Sequence, residues 1–156
     1  LSKLGELVLP PEAIPDSEKY VTLKKVPMLS SLGDSEIWEL ARAGRWSRVP
    51  KGQLVVQEDT GGKSFFFLAK GEAKVIKKAK LLNMVGSGEY FGEMAYIGGG
   101  DQQRHATVQA MTDLLLAEFE PTALDRMSLG AQLQLTRALV RNVTDRLALA
   151  NVRLAR

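Results

Sequence analysis

The sequence predicts a mainly β domain with flanking helices: an antiparallel β-roll, jelly-roll-like, with an N-terminal helix and C-terminal short plus long helices. Three observations carry that reading. Between Arg45 and Phe119 the chain runs in short segments rich in β-branched and aromatic residues, most of them bounded by glycine. That is the pattern of strands joined by tight turns. Ahead of this stretch Ile37, Leu40 and Ala41 recur at helical spacing, and behind it Leu135, Leu139, Val143, Leu147, Ala150 and Leu154 share one helical face. A chain of 156 residues is long enough for one compact core and too short for two.

Residues 1–25 read as a linker and helical lead-in, with Pro10, Pro11 and Pro15 interrupting regular structure. A helix is predicted over 35–43, with Asp34 or Ser35 capping its first turn and Gly44 following its end. Strands are predicted over 45–49, 54–57, 64–69, 73–77, 82–85, 106–111 and 114–118. Turn signals fall at 50–52, 61–62, 70–71 and 86–88. Many short strands at this spacing belong to a sandwich, jelly roll or barrel. Pro121 suits the first turn of a short helix reaching about Met127. Gly130 is expected to separate it from a long helix over 131–156. The β-roll then occupies 26–130, and 131–156 is a lid or dimerisation helix. Its apolar stripe is interrupted by Arg146, with Asn142 and Arg153 at the edge. That stripe must bury itself on the roll, on a second copy of the helix, or on both.

Composition narrows the function. With no cysteine the fold owes nothing to disulfides, which fits a cytoplasmic protein. No run of 18 apolar residues is present to span a membrane, and residues 1–10 lack the apolar core of a signal peptide. The chain starts at Leu1 rather than methionine, and the proline-bearing opening suggests a linker from an upstream effector domain in a longer parent. A net charge of +3 is mild. The densest basic run, Lys74, Lys77, Lys78 and Lys80, reads as a solvated strand and turn. It has no interleaved aromatic residues of the kind that stack nucleic-acid bases.

One segment carries chemistry. Tyr90-Phe91-Gly92-Glu93-Met94-Ala95-Tyr96 is followed by a glycine-rich loop and then by Arg104-His105-Ala106-Thr107-Val108. On this pattern the sequence resembles the cyclic nucleotide-binding domain family, shared by the catabolite activator protein, protein kinase A regulatory subunits and cyclic nucleotide-gated channels. The resemblance runs from about Val26 to the C-terminus. It takes in the helical lead-in Pro27-Met28-Leu29-Ser30-Ser31-Leu32 and the turn glycines Gly52, Gly61 or Gly62, and Gly71.

The resemblance implies a phosphate-binding cassette over 90–108 that holds cAMP or cGMP, with cAMP the preferred reading. It implies cyclic nucleotide-binding roles for Phe91, Gly92, Glu93, Met94, Ala95, Arg104, His105, Ala106 and Thr107. Gly92 would let the backbone approach the ligand, and Glu93 would accept a hydrogen bond from the ribose 2′-hydroxyl. Amides around Met94 and Ala95 would face the cyclic phosphate, and Arg104 would pair with its charged oxygens. The chemistry agrees: a phosphodiester monoanion is best met by a guanidinium fork and helix-start amides. A carboxylate repels phosphate but recognises a ribose hydroxyl, and it would be left unpaired by a 2′-deoxy ligand.

Two features depart from the family pattern. The loop from Gly98 to Gln103 is a residue or two longer than family members commonly show and has no proline before Arg104, a change that costs little. His105 stands where relatives have a small or hydroxyl residue; it is placed to donate to phosphate, lie on the base or point to solvent. Val85 and Met94 are expected base-pocket walls, and Asn142 and Arg146 are expected to cap the base from the long helix.

Catalysis is not expected. A cupin-type metal site needs two or three imidazoles and a carboxylate, and His105 is the only histidine. No paired carboxylates sit near the cassette to hold a hydrolytic metal. The expectation is a regulatory ligand-sensing domain with no cofactor, no metal site and no direct nucleic-acid contact in this segment. It would relay binding to an upstream effector through movement of the long helix. Two alternatives stand beside it: a degenerate cyclic nucleotide-binding fold serving as a homodimerisation module, and the sensor half of a DNA-binding transcription regulator, which would need a helix-turn-helix beyond the long helix.

Overall fold

The computed structural model describes residues 14–92 and 104–154. Eight strands form two four-stranded antiparallel sheets. One has the order β1-β8-β3-β6 and the other β2-β7-β4-β5. The strands are β1 (Arg45–Val49), β2 (Leu54–Val56), β3 (Phe65–Lys70), β4 (Ala73–Lys77), β5 (Lys80–Val85), β6 (Tyr90–Phe91), β7 (Thr107–Ala110) and β8 (Leu114–Phe119). Among the described residues four helices flank them: α1 (Asp16–Lys24), α2 (Asp34–Ala43), α3 (Pro121–Leu124) and α4 (Leu129–Leu154). A 3-10 turn, Pro27–Leu29, joins α1 to α2. The predicted β-roll with flanking helices is the observed architecture.

The central strands show how sequence dictates this layering. β3 begins Phe65-Phe66-Phe67-Leu68 and β8 begins Leu114-Leu115-Leu116-Ala117, continuous apolar runs rather than alternating ones. A strand reads that way when both its faces are buried. One face carries Phe66, Leu68, Leu114 and Leu116 into the roll interior, against Ala73, Val85, Val108 and Ala110 of the second sheet. The other carries Phe65, Phe67, Leu115 and Ala117 outward against the helices, where they meet Leu29, Ile37, Leu40, Leu124, Leu135 and Leu139. Phe67 sits edge-on to Phe119, ring centroids 5.4 Å apart, a geometry favourable beyond its buried area. The first sheet is therefore the common wall of two cores.

The helices depart from expectation in instructive ways. α1 starts at Asp16, inside the stretch read as linker. Leu23 is its one buried hydrophobic residue, so it carries little helical periodicity. What docks it is polar and aromatic. Tyr20 stacks on Trp38 of α2 at 4.6 Å, and the Tyr20 hydroxyl and Lys24 ammonium both donate to Asp34, at 2.8 and 2.6 Å. The hydrogen bond from Lys24, with that from Tyr20, holds the Asp34 carboxyl below the usual range. Asp34 therefore does not cap α2. Gly33 is the N-cap, and its amide donates to Glu36 at 2.8 Å.

Gly130 does not separate the last two helices but lies in the first turn of α4. The cause is Ser128, whose hydroxyl accepts from the Ala131 amide at 3.2 Å as an N-cap does. Ser128 is itself fixed by Glu39 of α2, which accepts from its amide and hydroxyl at 2.7 and 2.8 Å. The apolar face predicted for the long helix also divides. Leu135 and Leu139 are buried with Ala131 and Ala138, whereas Val143 is half-buried and Leu147 is 61% exposed. The helix leaves the core before its stripe ends.

Candidate functional site

Arg104 stands at the centre of the site. It lies between the glycine-rich loop and β7, and its backbone is clamped to the segment that follows β2. Its amide donates to the Thr60 carbonyl, and the Asp59 amide donates to the Arg104 carbonyl, both at 2.8 Å. The side chain turns inward and is only 8% exposed. One terminal nitrogen donates to the Ser64 carbonyl at 2.8 Å and the other to the Gly92 carbonyl at 3.4 Å. The guanidinium carbon lies 5.8 Å from the centroid of the Phe66 ring, within cation–π range. Phe66 in turn stacks on Phe91 at 5.0 Å, the rings 14° from parallel.

These partners are neutral. Among the described residues no carboxylate lies within ion-pair distance of Arg104; Glu118, which lines the same cleft, is engaged by Arg45 at 3.0 Å. Burial pulls the guanidinium below the usual arginine range, with the charge of Glu118 opposing that shift. Arginine nonetheless stays protonated. Among the described residues this desolvated cation has carbonyl partners but not the counter-charge that buried ions ordinarily have. It faces a cleft of about 450 Å³ lined by Val56, Gln57, Thr60, Ser64 and Phe66 among others, a size usual for small-molecule sites.

Two glycines make room for this side chain. A Cβ on Gly62 would stand 2.8 Å from one terminal nitrogen of Arg104 and 2.9 Å from Nε. A Cβ on Gly92 would stand 3.0 Å from the other terminal nitrogen and 3.2 Å from the Ser64 carbonyl, at a φ of +81° that disfavours side chains. Gly92 therefore has two local tasks: it turns the chain out of β6 and gives the guanidinium a carbonyl.

The other expected site residues distribute as follows. Phe91 is buried in β6, paired across β3 with Phe66. His105 is exposed, while Ala106 and Thr107 are half-buried. The Thr107 hydroxyl accepts from the Glu58 amide at 3.0 Å and retains its own proton to donate. Glu93, Met94 and Ala95 lie outside the described residues, as does the loop from Gly98 to Gln103. The side chain of Arg146 lies outside them too.

Val85 is packed in the roll interior, and Asn142 accepts a hydrogen bond from the Tyr90 hydroxyl at 2.5 Å. Neither lines the cleft in front of Arg104. Sequence reasoning passed over Ser64 and Phe66 as ordinary strand residues. The roles found for them need the β3–β6 pairing, which no local pattern reveals.

The geometry defines a class: a β-roll with a buried guanidinium that, among the described residues, faces a cleft without a carboxylate at ion-pair distance. Residues 46–129 match the model of the family described as the cyclic nucleotide-binding domain. The chain belongs to that family. It is 36% identical over 116 residues to the cAMP-dependent protein kinase regulatory subunit of Schizosaccharomyces pombe, a match covering 74% of this chain and 27% of the relative. It thus spans about a quarter of the length of such curated relatives.

Among solved structures, a cyclic nucleotide-binding domain from Methylobacillus flagellatus superposes with a TM-score of 0.77 at 19% identity, covering 96% of this chain and 87% of the other. The structure of "Sp-2Cl-cAMPS bound to PKAR CBD2" superposes with a TM-score of 0.70 at 23% identity, covering 88% and 93%. Both likenesses are of fold.

Gly62→Ala should force the Arg104 fork out of its seat. It is expected to cost about 1–3 kcal/mol of stability as an overpacking change. Denaturant unfolding of the variant, with an unchanged slope and a lower midpoint, checks this.

Proposed function

We propose that this domain is a sensor of cyclic nucleotide, cAMP in preference to cGMP, and carries out no chemistry on it. The observation that carries the reading is Arg104: a buried guanidinium in a cleft, with neutral partners among the described residues. One phosphodiester charge supplies what it lacks. The cassette's Glu93, following Gly92 in sequence, takes the ribose 2′-hydroxyl, and the amides of Met94 and Ala95 complete the phosphate cradle. The preference for cAMP draws on the kinase regulatory subunits among the relatives, which are named as cAMP-dependent. The helices of this chain fit a regulator of a further domain in a longer, cytoplasmic parent. That further domain, whether kinase or other effector, is the output.

A sensor must bind with different affinity in two arrangements, since equal affinity shifts nothing. The contact suited to report occupancy is Tyr90–Asn142. It ties β6, which opens the cassette, to the middle of α4. Ligand that pulls on Gly92 and Arg104 pulls on β6 and thus on the helix.

A second role for α4 has its own observation. Leu133, Val140 and Leu147 are 49%, 54% and 61% exposed at seven-residue spacing; Leu147, at the edge of the predicted apolar face, joins the other two in a stripe turned away from buried Ala131 and Ala138. A stripe of that period suits a second helix of the same kind, so we read α4 as a homodimerisation helix as well. Sedimentation velocity across a concentration series should show a dimer that Val140→Glu converts to monomer. A monomer at every concentration contradicts this role.

Isothermal titration with cAMP and cGMP tests the sensor reading. Micromolar or tighter binding of cAMP is expected, with cGMP weaker. Arg104→Met should lower affinity by about 30-fold to several thousand-fold, equivalent to about 2–5 kcal/mol. Its unliganded stability should stay within about 1 kcal/mol of the parent, because relief of a desolvated charge offsets the lost hydrogen bonds. A change in affinity below about threefold contradicts the assignment.

A further inference from the structure

The hairpin of β4 and β5 bears a surface that ligand sensing leaves unexplained. Between Ala73 and Val85 it carries Lys74, Lys77, Lys78 and Lys80 and no acidic residue. The same hairpin exposes Leu81 at 61%, Leu82 at 59% and Met84 at 38%. The pairing explains how they meet. Lys74 stands opposite Met84 and Ile76 opposite Leu81, while a register shift between Val75 and Ile76 leaves Leu82 as the extra residue on β5. Directly opposed residues share a face of an antiparallel pair. The inner face is taken by Ala73 and Val85, both buried in the roll. Lys74, Met84, Ile76 and Leu81 therefore look outward, with Lys77 and Lys80 paired at the tip.

The tip is held firmly. Lys78 and Ala79 both have positive φ, 50° and 65°, the conformation of a two-residue hairpin turn that matches strand twist. The Lys78 amide donates to the Glu58 carboxylate at 3.1 Å, anchoring the turn to the body of the roll. Glu58 is the one carboxylate joined to this turn by a hydrogen bond among the described residues. It leaves a cationic excess.

Lysines and a bulge are ordinary protection for an edge strand, and β5 is an edge. Protection explains the lysines but not leucines exposed beside them. A second copy paired antiparallel along β5 would set Lys80 opposite Val85 and leave Lys74, Lys77 and Lys78, on β4 and the turn, without a counter-charge. A nucleic acid would leave the leucines without gain, and the hairpin offers no aromatic ring for stacking. An anionic bilayer satisfies both halves. Its headgroups attract lysines, and its acyl boundary takes up apolar side chains that project among them.

We infer that the outer face and tip of the β4–β5 hairpin form a docking surface for an anionic lipid membrane, with Leu81 and Leu82 inserting, and Lys74 on the outer face and Lys77, Lys78 and Lys80 at the tip meeting the headgroups. This brings the sensor to a membrane surface; no helix of the described residues is long and apolar enough to cross one.

Cosedimentation of the chain with phosphatidylcholine vesicles, with and without phosphatidylserine, tests this. Binding is expected only where phosphatidylserine is present, and should weaken with added salt. A lysine near an anionic surface strengthens binding roughly fivefold, so the triple variant Lys77→Glu, Lys78→Glu, Lys80→Glu should weaken it by about a hundredfold or more. The double variant Leu81→Ser, Leu82→Ser keeps every charge and should weaken it by about tenfold. These side chains are exposed, so thermal unfolding of both variants should match the parent. Failure of the parent to bind, equal binding to neutral vesicles, or unchanged binding of the leucine variant overturns the inference. The last result would mean attraction by charge alone, without insertion of the leucines.

Discussion

A guanidinium drawn out of water with carbonyls as its hydrogen-bond partners is an expensive thing to build into a fold. Arg104 is held in that way. The Ser64 and Gly92 carbonyls satisfy its hydrogen bonds without neutralising its charge, and the Phe66 ring covers one side of it. Everything near it is arranged to allow this. Gly62 and Gly92 keep side-chain atoms away from the fork. The paired backbone contacts with Asp59 and Thr60 fix where the side chain begins. The proposed cyclic nucleotide would supply the negative charge that these partners do not.

The two cores give that site its rigidity and its outlet. β3 and β8 are buried on both faces, so Phe66 reaches the cleft from a strand whose neighbours Phe65 and Phe67 are locked among the helices. The same sheet ends at β6, whose two residues face opposite ways. Phe91 stacks on Phe66 beside the guanidinium, and Tyr90 reaches across to Asn142 of α4. One short strand thus touches both the Arg104 site and the helical side.

Much of this was legible in the sequence, for reasons that particular residues make plain. β1 has the predicted limits because Gly44 and Pro50 bound it sharply, and β4 has them because Gly71 turns the chain ahead of it and the Lys78-Ala79 turn follows it. The helix from Asp34 was found on Ile37, Leu40 and Ala41, all of which are buried. Arg104 and Gly92 were legible as a pair because the motif joins them in order. Local pattern failed where long-range contacts decide. α1 is docked by Tyr20, Lys24 and Asp34 rather than by an apolar stripe, so periodicity was silent. Ser128 recruits Gly130 into α4 through Glu39, a residue of a distant helix. Asn142 was expected over the base but bonds to Tyr90, because β6 ends beneath that turn of α4. The solvated reading of the lysine run did not anticipate Leu81 and Leu82 exposed beside it, since alternation assigns one of two adjacent leucines to the interior and the bulge does not.

The most direct measurement is nitrogen-detected NMR of the Arg104 guanidinium in the free chain and at saturation with cAMP. The account requires a single slowly exchanging guanidinium in the free protein, held by Ser64 and Gly92, whose terminal nitrogens shift when cAMP is added and remain protected from solvent. A guanidinium signal unmoved while the rest of the chain responds to bound nucleotide would contradict it, and would place the phosphate elsewhere.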